Sequence, residues 1–124
     1  MNASVGNAIL MDNIAAAAFE AYRDGVKPAQ VNKLLEMYEC LDDIDKFLVF
    51  LAYQASRGLW GRGNAARRLY KILSENRDPK KVREILTIFK WIYESCQRRR
   101  PRAPFPQAEP RGFLKTLLDS LMSR

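Results

Sequence analysis

A chain of 124 residues, 48% hydrophobic and 28% charged, has the length and apolar content of one ordinary domain with a real core. No stretch approaches the roughly 18–20 uncharged apolar residues that a membrane span needs. Met1 to Leu10 lack a basic n-region, so the expectation is a cytoplasmic protein without a secretory signal. The formal charge of +7 is unevenly spread. Residues 1–56 carry four basic side chains against eight acidic ones, a net of −4, whereas residues 57–124 carry seventeen against six, a net of +11. A basic half of that size predicts a polyanionic partner, and the polarity of the chain suits head-to-tail self-stacking.

Period-two alternation is absent and apolar residues recur at three-to-four spacing, which predicts an all-α fold. The first helix is expected over residues 7–24, with Ile9, Leu10, Ile14, Ala17, Ala18, Ala21 and Tyr22 on one face and Gly25 as its stop. Pro28 suits the first position of a second helix, whose stripe is Val31, Leu34, Leu35, Tyr38 and Leu41. Asp42, Asp43 and Asp45 then read as caps for a third helix. That helix carries Ile44, Phe47, Leu48, Leu51 and Ala55, and Phe50, Ala52 and Tyr53 widen its apolar surface. It is therefore expected to be the central, most buried helix.

Gly58, Gly61 and Gly63 mark a loop before a fourth helix, capped by Asn64 and running to about Leu73. Asp78-Pro79 opens a fifth helix with Val82, Ile85, Leu86, Phe89, Ile92, Tyr93 and Cys96 facing inward. Trp91, beside them, reads as core. Residues 98–112 hold four of the six prolines together with Arg98, Arg99, Arg100 and Arg102, which predicts an extended basic linker. Beyond it, Phe113, Leu114, Leu117, Leu118, Leu121 and Met122 form a short amphipathic helix. A helix of that length is marginal alone and must dock on its own bundle or on a neighbour. The expected organisation is a five-helix bundle over residues 1–97, a linker over 98–112 and a tail helix over 113–124.

Catalysis has little to work with. The chain has no His, the commonest general base, and no Ser in a nucleophile-elbow pattern. Cys40 and Cys96 lack metal-ligand spacing and read as buried thiols, with a single disulfide as the alternative. A non-enzymatic protein without cofactor or metal is expected. Its candidate nucleic-acid contacts are the cations around the glycine loop and the fourth helix: Arg57, Arg62, Arg67, Arg68 and Lys71. Backbone N–H groups at the start of that helix suit a phosphate, and arginines clamp its neighbours. Trp60, in the same loop, is either a stacking platform for a base or a hydrophobic anchor. Lys80 and Lys81 lie at the end of the fifth helix that the dipole makes unfavourable for cations, a cost that either ligand binding or plain solubility would account for. Arg98, Arg99, Arg100 and Arg102 suit an arm on nucleic acid, although arginines at a helix C-terminus also complement its dipole.

Three segments resemble the small helical subunit of type III CRISPR effector complexes, nearest to the III-A form. They are Gly25-Val26-Lys27-Pro28-Ala29-Gln30-Val31-Asn32-Lys33, Phe50-Leu51-Ala52-Tyr53-Gln54-Ala55-Ser56-Arg57, and Ile88-Phe89-Lys90-Trp91-Ile92-Tyr93. The resemblance covers about residues 20–95, and the proline-rich segment and tail helix have no counterpart in it. It implies a non-catalytic structural subunit of an antiviral ribonucleoprotein, one that stacks with copies of itself and touches RNA through its backbone. Lys33 and Arg57 match basic positions of that pattern. A subunit that accepts any guide reads phosphates and duplex shape, not bases. Two other readings suit the residues themselves: a DNA-binding or DNA-packaging protein such as a viral coat protein, and an adaptor whose tail helix docks on a partner protein.

Overall fold

Four consecutive alanines, Ala15 to Ala18, decide how the helices pack. Small side chains on every side of a helix let neighbours approach all round it, and a helix apolar all round belongs in the interior. The computed structural model describes residues 3–123, so Met1 and Asn2, at the head of the segment read for a leader, lie outside the described residues. Six helices and no strand occur among them: α1 (Ala3–Arg23), α2 (Pro28–Leu41), α3 (Ile44–Ser56), α4 (Asn64–Glu75), α5 (Pro79–Arg99) and α6 (Phe113–Met122). α1 packs against α4, α5 and α6, while α2 lies on α5 and α3, and α3 on α4. Every residue from Ile14 to Ala21 is buried, including Glu20. No described helix is long and apolar enough to cross a membrane.

The central helix is thus α1 and not α3. α3 packs chiefly on α2 and α4 and leaves Val49 and Tyr53 70% and 56% exposed. Trp91 also departs from expectation: it points away from the buried stripe of α5 and is 63% exposed.

Local signals place the remaining ends. Gly25 at φ +76° stops α1. Asp43 caps α3 by accepting from the Lys46 N–H at 2.9 Å, and Asp78 caps α5 by accepting from the Lys81 N–H at 3.2 Å. Asp42 instead closes α2 in the left-handed region. Gly63, at φ +87°, takes the cap position of α4 that Asn64 was expected to fill, and Asn64 becomes its first residue. Cys96 is buried and its thiol is pushed up to about 12 by burial, whereas Cys40 is exposed; both are free thiols.

The proline-rich segment has no regular structure between α5 and α6, but it is not a free linker. Pro101 and Pro110 are buried. The Arg102 N–H donates to Ser120 Oγ, which donates in turn to the Arg102 carbonyl. Phe105 lies edge-on to Phe19 and under the Arg23 guanidinium, 5.0 Å from its ring centroid. Residues 100–110 therefore form a strap laid over the bundle. α6 docks at its end: Phe113, Leu117 and Leu121 are buried, and Asp12 of α1 caps the helix from across the fold. The Gly112 and Leu114 N–H groups each donate to an Asp12 carboxylate oxygen at 2.9 Å. Phe113, Leu117 and Leu121 are thus spent on the chain's own bundle, while Leu118 and Met122 stay exposed.

Candidate nucleic-acid interface

α4 presents one face to the core through Ala65, Ala66, Leu69, Ile72 and Leu73. The opposite face carries Arg67 and Lys71, one turn apart, with Cβ atoms about 5–6 Å from each other. Arg62 precedes them on a loop whose geometry depends on Gly61. A Cβ at Gly61 would lie 2.8 Å from Asp24 Cβ, and its φ of +61° is left-handed, so glycine lets the loop close against the end of α1. The Arg67 guanidinium is braced by donating to Asn64 Oδ1 at 3.0 Å and to the Arg62 carbonyl at 3.5 Å. Arg62, Arg67 and Lys71 are exposed, and among the described residues none has a carboxylate within 4.0 Å.

Two hollows flank this ridge. On one side, a shallow recess of about 440 Å³ between α3 and α4 is lined by small and apolar residues together with Arg62, Arg67 and Tyr70. On the other, a groove of about 1170 Å³ runs between α4, the start of α1 and the strap, and it gathers Arg67, Arg68, Lys71, Lys81 and Arg111. Four carboxylates share the groove: Asp12, Glu20, Glu75 and Glu109. Two of these are already engaged, Asp12 by the start of α6 and Glu20 by Arg68.

Arg68 and Trp60 leave the candidate set. The Arg68 Nε donates to Glu20 Oε1 at 2.7 Å, and its Nη atoms donate to the carbonyls of Gln107 at 2.6 Å, Ala108 at 3.3 Å and Pro106 at 3.5 Å. Four of its five N–H groups are thereby used inside the protein. It clasps the strap to a buried carboxylate. Trp60 is 1% exposed and packs against Phe89, with ring centroids 6.2 Å apart, so no base reaches it. It is the hydrophobic anchor of its loop.

Of the other candidate cations, Lys81 lines the larger groove beside Arg67 and Lys71, and the rest line neither hollow. Lys33 projects from α2, which packs on α3 and α5. Arg57 ends α3 with its guanidinium 5.6 Å from the Tyr53 ring centroid. Lys80 is exposed at the start of α5, and Lys81 pairs with Glu84 at 3.4 Å. Arg83 pairs with Glu39 at 2.8 Å, so part of the positive charge at that helix start answers an acidic neighbour on α2. Arg98, Arg99 and Arg100 close α5, and Arg102 opens the strap. They stand about 25 Å along the helix axis from Lys81. The arginines that close α5 thus stand apart from Lys81 and from both hollows.

Tyr70 and Arg111 were missed by the sequence reading. Tyr70 falls off the apolar stripe of α4, which is a legible sign of an outward aromatic. Arg111 has no such sign, because it joins the groove only through the return of the strap. Among the described residues, no group of three or more acidic or thiol side chains could hold a metal ion.

No family model, curated protein or solved structure matches this chain. The resemblance to the type III small subunit therefore stands on its three segments alone.

Proposed function

We propose that this chain is a non-catalytic RNA-binding subunit of a ribonucleoprotein, of the kind found in type III CRISPR effectors, and that it grips the RNA backbone along the outer ridge of α4. One observation carries the reading: Arg62, Arg67 and Lys71 stand together, exposed and free of carboxylate partners among the described residues, while Arg68, Arg77 and Arg83 are spent on the protein's own acids. Cations kept unpaired on one surface suit phosphates. The preference for RNA over DNA follows the sequence resemblance.

Binding of single-stranded RNAs of unrelated sequence, followed against salt concentration, tests this. Affinity should fall linearly on a log–log plot and be nearly independent of sequence. Replacing Arg62, Arg67 and Lys71 together by Ala should make the slope shallower by about 2, since each lost phosphate contact on a single strand is worth about 0.7. An unchanged slope rules out the ridge, and tighter binding to matched DNA than to RNA rules out the ribonucleoprotein assignment.

A further inference from the structure

The recess between α3 and α4 differs in kind from the larger groove beside it. Its floor is Leu51, Ala52, Ala55 and Ala66, and no carboxylate is among its described lining residues. Tyr70 forms one wall and is 54% exposed, a large aromatic held at the surface by a helix and not by a core. Arg62 and Arg67 stand at the rim. Tyr70 follows Arg67 by three positions, so the two side chains adjoin on the helix surface. Arg67 uses two donors within the protein and has three left for a phosphate.

We propose that this recess takes a nucleobase from a single-stranded polynucleotide, stacked on Tyr70, while Arg62 and Arg67 hold the phosphates on either side of it. The inference rests on the backbone-binding reading of the α4 ridge and extends it from phosphates to a base. A strand that follows Arg67 to Lys71 carries its bases to one side of the ridge. The apolar recess lies on one side of it, and the acid-bearing groove lies on the other. A base turned toward the recess meets an aromatic face and small apolar residues, which is sequence-tolerant recognition because every base has such a face. Duplex bases are stacked inside the helix and do not reach a side slot, so the site selects single strands.

Three probes of equal length separate base from backbone: a mixed-sequence RNA strand, the same strand made abasic, and the matching RNA duplex. The wild-type protein should bind the intact strand roughly fivefold or more tightly than the abasic one. Tyr70→Ala should abolish that difference while leaving affinity for the abasic strand unchanged, and Tyr70→Phe should preserve it. Tyr70 is half-exposed, so neither variant is expected to unfold the protein. Equal wild-type affinity for intact and abasic strands overturns the base slot and leaves the ridge standing. So does a Tyr70→Ala variant that weakens both strands alike. If the Arg62, Arg67 and Lys71 triple variant binds all three probes as the wild type does, the ridge falls and the slot with it.

Discussion

Glu20 sits buried in the last turn of the most buried helix, and among the described residues its ionic partner is Arg68, at 2.7 Å. A carboxylate stripped of its partner in such a place is costly. Arg68→Ala should destabilise the fold by about 3–5 kcal/mol, read as a lower denaturant midpoint. A change under about 1 kcal/mol would mean that the pair is not buried in solution. The sequence puts Arg67 on the face of α4 that the apolar residues leave free and Arg68 next to that face. Their fates diverge because consecutive helix positions are turned by about 100°, which puts Arg68 over α1 and Arg67 in solvent. The two tryptophans diverge for a similar reason. Trp91 is flanked by buried residues in sequence yet lies opposite the stripe of α5, a phase legible from its spacing to Phe89 and Tyr93. Trp60 sits in a glycine loop with no periodicity, and its burial depends on Phe89, far away in the chain.

At the scale of the elements, most caps and stripes were legible, with Asn64 and the exposed Ile9 as exceptions, and partners were not. Asp43, Asp78, Pro28 and Pro79 mark the helix starts they were expected to mark, because those signals act within one turn. The docking of α6 was not legible. Its cap is Asp12, a hundred positions earlier, and nothing local announces it. Asp12→Ala should cost about 1–2 kcal/mol and raise hydrogen exchange at Gly112 and Leu114, followed by the rest of α6. Exchange in α1 and α4 should change far less, because the core around Ala15 to Ala18 does not use that cap. Unchanged protection of α6 in the variant would show that Phe113, Leu117 and Leu121 hold the helix without the carboxylate.

The chain is polar in charge along its length, and that much is visible from counting residues. What counting does not show is how the charge is partitioned: some cations are consumed by the fold, some close α5, and Arg62, Arg67 and Lys71 remain on an outer ridge. If the ridge is the binding surface, position matters more than net charge. Two variants that each remove three positive charges separate these ideas: one replaces Arg62, Arg67 and Lys71 by Ala, the other Arg98, Arg99 and Arg100. The measurement is RNA affinity at a single ionic strength near 0.15 M, where screening confines charge effects to about 8 Å. The ridge variant should lose about tenfold or more in affinity, while the α5-end variant stays within roughly threefold of wild type. Equal losses from the two variants, or a larger loss from the α5 end, would contradict the assignment of the α4 ridge.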